Sequence, residues 1–153
     1  MLRSGMMIDV SLSEQPGFKK TYDVPGVFLE HDGEILLLLR QDHKPYGGTY
    51  GMVAGKADPG ETIIQALLRE IKEEIGLSLS EDDLIFSAKY FVRYPDFDFI
   101  HYIYRMDCTQ KPELLLNETE HKGFIWSTPQ EALVLTLVPG CGTCIELTYG
   151  VTV

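Results

Sequence analysis

The sequence predicts an α/β fold, a β-sheet with helices on both of its faces, formed by one domain over residues 1–153 with its core at about 24–137. Three observations predict it. Segments rich in β-branched and aromatic residues share the chain with segments whose apolar residues recur at helical spacing. One strand, Ile35-Leu36-Leu37-Leu38-Leu39, is an unbroken apolar run, the pattern of a strand covered on both sides. And 153 residues suffice for one hydrophobic core but not for two ordinary ones.

The elements follow in order. The start, Met1 to Met7, has no apolar run after Arg3 and does not read as a secretory signal. After a polar stretch, Val27-Phe28-Leu29 and Glu34 to Arg40 flank His31-Asp32-Gly33, and Asp-Gly between apolar runs predicts a hairpin. From Pro45 to Gly60 the chain is rich in Gly and Pro, which predicts a loop with close backbone approaches. Asp58-Pro59-Gly60-Glu61 has the form of a helix start, with Asp58 as N-cap and Pro59 at the first helical position, and Gly76 is placed to cap the other end. Between them Ile64, Leu67, Leu68, Ile71 and Ile75 make one apolar stripe facing the core. Leu84 to Tyr94 and Phe97 to Met106 predict a second strand pair meeting at Pro95-Asp96. Gly123 to Trp126 predicts a short strand. Thr128-Pro129-Gln130-Glu131 opens a final helix, which Pro139 and Gly140 end. There is no internal repeat or low-complexity tract.

Composition narrows the function. Thirteen basic against 23 acidic residues give a formal charge of −10, the wrong sign for gripping a nucleic-acid duplex through its phosphates. A polyanionic small molecule would need metal ions as an electrostatic bridge. Hydrophobic content of 44% with 24% charged residues is that of a soluble protein, and no apolar run is long enough to span a bilayer, so no membrane role and a cytoplasmic location are expected. Three cysteines, an odd number, argue against a disulfide scaffold.

On the first helix Glu70, Glu73 and Glu74 fall within about one turn, on a face rotated away from the apolar stripe. Like charges at that spacing call for open water or a cation, and hard carboxylate oxygens favour Mg²⁺, with Mn²⁺ able to substitute. Most acidic helix faces are merely solvated; the surrounding residues decide otherwise here. From Gly55 the chain reads GKADPGETIIQALLREIKEEIGL, which fits G-x5-E-x7-R-E-U-x-E-E-x-G-U, with U a bulky aliphatic residue, at Gly55, Glu61, Arg69, Glu70, Ile71, Glu73, Glu74, Gly76 and Leu77. A chance match in a chain of this length arises on the order of once in ten million sequences.

The segment resembles the Nudix box, and the chain from about Val24 to Leu137 resembles the Nudix layout, a MutT-like α/β/α sandwich around a mixed sheet. The resemblance implies Glu70 and Glu74 as principal metal ligands, Glu73 as a direct or water-mediated one, and the Ala54 carbonyl as another. It implies that Arg69 orients Glu61 and the loop before the helix, the plainer alternative being a helix pair with Glu73. The proton acceptor would be Glu70 or Glu73 within the box, or a Glu beyond it, Glu118 or Glu120, of which Glu120 is preferred. Where many relatives carry Pro-Gly-Gly, this chain has Val53-Ala54-Gly55, and Ala54 still offers its backbone oxygen.

The remaining features are weaker. Cys141-Gly142-Thr143-Cys144 has redox-motif spacing but neither a second such pair nor a thioredoxin-like setting, so both are expected as buried thiols. His31, His43, His101 and His121 share no metal-ligand spacing and are expected on loops or the surface, with His43 and Lys44 within reach of a phosphate. One or two of the strand aromatics are expected beside a nucleobase. The resemblance implies hydrolysis of a nucleoside-diphosphate-linked compound, first a nucleoside triphosphate pyrophosphohydrolase giving nucleoside monophosphate and pyrophosphate. Alternatives are an ADP-ribose or nucleotide-sugar pyrophosphatase and a non-catalytic nucleotide sensor; the chain could also pair as a homodimer. An isoprenyl-diphosphate isomerase would need a cysteine ahead of the box, and all three cysteines follow it.

Overall fold

A computed structural model describes residues 8–153; residues 1–7, on which the reading of the chain start rests, lie outside the described residues. The frame is a mixed eight-stranded sheet. Its main path runs β1 (Asp9–Ser11), β6 (Ile85–Arg93), β7 (Asp98–Asp107), β2 (Lys20–His31), β3 (Glu34–Arg40), β4 (Tyr50–Gly51), with β5 (Val53–Ala54) on β2 and β8 (His121–Ser127) on β3. Only β2 and β7 pair in parallel; every other named pair is antiparallel.

The hairpin between β2 and β3 forms where Asp-Gly predicts it. Asp32 (φ 47°) and Gly33 (φ 79°) both take the left-handed backbone that a two-residue turn joining twisted strands requires. β3 is buried on both faces, as its apolar run predicts. Leu36 and Leu38 point into one layer with Val27, Leu29, Val53 and the helix residues Leu67, Ile71 and Ile75. Ile35 and Leu37 point into the other with Phe28, Met52, Ala132, Cys144 and Ile145. Helix α1 (Ile63–Ile75) therefore covers one face, and α2 (Pro129–Ala132) and α3 (Cys141–Tyr149) cover the other.

Four expectations need correction. First, α1 begins four residues later than expected: Thr62 is its N-cap, sharing a reciprocal capping box with Gln65, because Gly60 (φ 86°) turns the chain out of helical conformation after Asp58-Pro59. Secondly, the helix opened by Thr128 lasts only to Ala132. The chain leaves it to pair with β4, Tyr50 N–H donating to Thr136 O and Val138 N–H to Tyr50 O. Thirdly, Gly140 (φ 89°) begins a helix instead of ending one, since α3 starts at Cys141. Finally, the polar N-terminal stretch contains β1 and the first half of β2, and β8 is longer than Gly123 to Trp126.

Candidate functional site

Glu70, Glu73 and Glu74 leave the same helix face region, but the sheet treats them differently. Glu73 is exposed, Glu70 half-buried, and Glu74 only 5% exposed, so the expectation of three carboxylates turned away from the core holds least for Glu74. A 100° step per residue brings Glu74 around to the side where β5 runs, and the Ala54 backbone acts on its carboxylate. Its Oε2 is buried and has no hydrogen-bond partner. Burial first, and then the charges of Glu70 and Glu120, hold the Glu74 carboxyl well above the usual carboxylate range. The Glu70 carboxyl is also raised, by burial first and by the charges of Glu73 and Glu120, although Arg69 opposes it.

Glu70 lies against Gly55, where a Cβ would collide with its carboxyl group, so the first glycine of the motif is a space requirement. Arg69 grips Glu61 with two near-parallel bonds, Nε to Oε2 at 2.8 Å and Nη2 to Oε1 at 2.9 Å. It also donates to Glu70 Oε1 (2.9 Å), Glu73 Oε2 (3.2 Å) and the Lys56 carbonyl (3.2 Å). Glu61 in turn accepts the Asp58 N–H at 2.7 Å. One guanidinium thus joins the loop before α1 to two carboxylates of the helix, and holds the Glu61 carboxyl down at about 2.

A second segment completes the cluster. Leu115 and Asn117 donate their N–H groups to the carbonyls of Ile75 and Glu74, docking the loop after β7 onto the end of α1. Gly76 allows this approach, because a Cβ there would lie 2.8 Å from Leu115 Cβ. The turn at Asn117 then delivers Glu120 and His121, and one potential ligand atom each of Glu74, Glu120 and His121 lie within 4.8 Å of one another. Glu118, by contrast, stays exposed. Lys44 reaches Glu120 at 3.5 Å, whereas His43 is exposed.

The histidine expectation fails at two positions. His101, on β7, and His121, which opens β8, are buried rather than on loops or the surface. His101 sits between Ile100 and Tyr102 on a strand of the sheet, whereas His121 has the polar neighbours Glu120 and Lys122 and is buried by the docking of the turn at Asn117. Burial lowers both, His101 to about 4. Its Nδ1 hydrogen-bonds the Val24 carbonyl at 2.7 Å, while Nδ1 of His121 is buried without a partner.

Glu74, His121 and Ala54 line a cleft with about 710 Å³ of space between its atoms, mouth included. Arg40, at the end of β3, lines it too, and its charge acts on Glu74 and His121. Much of the remaining lining is apolar: Val24, Met52, Val92, Tyr94, Phe99 and Cys144. Tyr94 and Phe99 are the strand aromatics in the cleft, and Tyr94 O–H donates to the Pro139 carbonyl at 2.7 Å. All three cysteines are free and buried, and burial pushes the Cys141 thiol up to about 12 and the Cys144 thiol up as well, so neither is a nucleophile at neutral pH. Arg40 and His121 escaped the sequence reading; the one signal for His121 was its place beside Glu120.

An orphaned, buried carboxylate oxygen among mutually repelling carboxylates is a fit for a divalent cation, which would supply the missing partner and cancel the repulsion.

Comparison with known proteins agrees with this geometry. The NUDIX domain model matches residues 19–146. A CTP pyrophosphohydrolase of Escherichia coli (strain K12) is 30% identical over 78% of this chain and 85% of its own length. The nucleoside triphosphatase NudI of Salmonella paratyphi B is 29% identical over 71% of this chain and 83% of its own. The crystal structure of a MutT protein from Methanosarcina mazei Go1 superposes with a TM-score of 0.74 at 20% identity, covering 86% of this chain and 95% of that one.

Proposed function

The chain belongs to the NUDIX domain family, and on that premise we propose that it is a divalent-cation-dependent hydrolase, using Mg²⁺ or Mn²⁺, that cleaves a nucleoside triphosphate into nucleoside monophosphate and pyrophosphate. The observation that carries this reading is the unpartnered Oε2 of Glu74, a residue lining a cleft that also holds Arg40 and a set of apolar and aromatic side chains. The phosphates would lie by Glu74 and Arg40 and the base against the apolar lining. The two full-length relatives named for triphosphate hydrolysis favour this substrate class over nucleotide sugars.

When bound, the cation supplies charge neutralisation of the phosphates and activation of a water at neutral pH. Glu74, Glu70 and Glu120 would hold it, with Glu73 near enough for a water-mediated contact and the Ala54 carbonyl as a further oxygen. Arg69 holds Glu61 and Glu70 in place and has no direct part in bond breaking. Arg40 meets the phosphate chain with a fixed positive charge that the net charge of −10 otherwise denies it. Glu120, partly exposed beside Glu74 and His121, would take the proton of the attacking water as the water oxygen bonds to phosphorus and pyrophosphate leaves. Tyr94 and Phe99 offer ring faces and edges to the base.

The test is a panel of nucleoside triphosphates, oxidised nucleotides, ADP-ribose and dinucleoside polyphosphates, compared by kcat/KM with Mg²⁺ and with Mn²⁺. Triphosphates should lead. Preferred turnover of ADP-ribose would replace the substrate assignment, and no turnover of any member would favour a nucleotide sensor.

A further inference from the structure

The oxygen ligands implied by the motif leave one buried group unexplained. His121 is 5% exposed, its Nδ1 has no hydrogen-bond partner, and it is grouped with Glu74 and Glu120 within 4.8 Å. Across an ion with bonds of about 2.1 Å, opposite ligands are about 4.2 Å apart, so a small side-chain adjustment brings all three onto one centre. The backbone already fixes the ring's place: His121 N–H donates to the Asn117 carbonyl, and His121 pairs with Arg40 across β3 and β8. Two residues of that cluster, on different segments and each about nineteen-twentieths buried, carry an orphaned atom: Glu74 at Oε2 and His121 at Nδ1. A buried polar atom without a partner is destabilising, so two together ask for a common one.

We propose that His121 supplies a nitrogen ligand to the cation held by Glu74 and Glu120, and that the site thereby selects first-row transition ions, Mn²⁺ and Co²⁺ among them, over Mg²⁺. Imidazole is a good partner for those ions and a poor one for Mg²⁺, which prefers an all-oxygen shell. The inference rests on the cation-dependent reading above and adds to it a ligand and a metal preference.

The probe is Mn²⁺ itself, added to metal-stripped, tag-free protein and examined by pulsed electron paramagnetic resonance. A ¹⁴N coupling at Mn²⁺ is expected, converting to a ¹⁵N pattern when the protein carries ¹⁵N-histidine. His121→Asn should abolish the coupling, weaken Mn²⁺ binding by about tenfold or more, and lower the ratio of Mn²⁺ to Mg²⁺ affinity. His43→Asn, at the exposed histidine of the loop before the box, should leave the coupling in place. Labelling of the unsubstituted protein decides the presence of a histidine nitrogen even if His121→Asn does not fold, and His121→Gln then serves as the second variant. Bound Mn²⁺ without histidine coupling, or coupling that survives loss of His121, overturns the inference and leaves the hydrolase reading intact. Failure of the unsubstituted protein to bind Mn²⁺ at all overturns both.

Discussion

Glu73 and Glu74 are neighbours of identical chemistry, and the helix separates them completely. Glu73 is exposed and paired with Arg69, while Glu74 is buried with an oxygen that has no hydrogen-bond partner among the described residues. The difference is one residue's rotation against a sheet that lies on one side only. Substitution should therefore separate them as well. Glu74→Gln keeps the shape and removes the charge, so kcat/KM with Mg²⁺ should fall by roughly 100-fold or more, about 2.7 kcal/mol of transition-state stabilisation. The urea midpoint should not drop, because a neutral amide ends the repulsion with Glu70 and Glu120. Glu73→Gln should cost far less activity. Undiminished turnover in Glu74→Gln, measured by pyrophosphate-release kinetics, would sink the metal assignment. At this scale the motif residues were readable because the chemistry demands their types at fixed spacing. His121 was not, because what recruits it is a loop docked by Leu115 and Asn117 onto the end of α1.

Among the elements, α1 and the hairpin at Asp32-Gly33 were legible because their signals are local: an apolar stripe with a capping glycine, and a turn dipeptide between apolar runs. The stripe's centre bears most of the load. Leu67 is fully buried between α1 and the sheet, and Leu67→Ala should destabilise the fold by about 2–5 kcal/mol in urea titration while the intact fraction retains activity. Other elements were illegible for physical reasons. β2 contains Pro25 and Gly26, residues that ordinarily argue against a strand interior; Gly26 is needed because a Cβ there would lie 2.6 Å from Met52 Sδ and 3.0 Å from His101 Cε1. α3 combines Gly142, Thr143 and Thr148 with apolar residues on most of its faces, so its periodicity is blurred. His101 on β7 gives this layer a pH dependence. Its folded value of about 4 lies below the ordinary 6.5, so the folded protein binds fewer protons between those limits. Stability from this group is complete above about pH 6.5 and is lost as pH falls towards 4, on the order of 3 kcal/mol in all. His101→Gln should flatten that part of the profile, measured as the difference in urea midpoint between pH 7 and pH 4.5. An equal slope in both proteins would refute the assignment.

For the molecule as a whole, the cleft gathers residues from distant segments: Val24 from β2, Arg40 from β3, Glu74 from α1, Tyr94 after β6, His121 from β8 and Cys144 from α3. No local pattern could reveal that gathering, which is why the acidic motif was legible and the apolar lining of the cleft was not. Net charge acts at the same scale. With −10 on the chain and Glu74 clustered with Glu120, any polyanion approaches against an unfavourable field unless cations intervene. Among the described residues no helix is long and apolar enough to cross a membrane. The central claim, cation-dependent cleavage of a triphosphate to monophosphate and pyrophosphate, is tested most directly by ³¹P NMR of the products formed from the best triphosphate. Nucleoside monophosphate and pyrophosphate should appear in equal amounts with Mg²⁺ or Mn²⁺, and neither should form in excess EDTA. Release of nucleoside diphosphate and inorganic phosphate, or turnover that persists in EDTA, would contradict it.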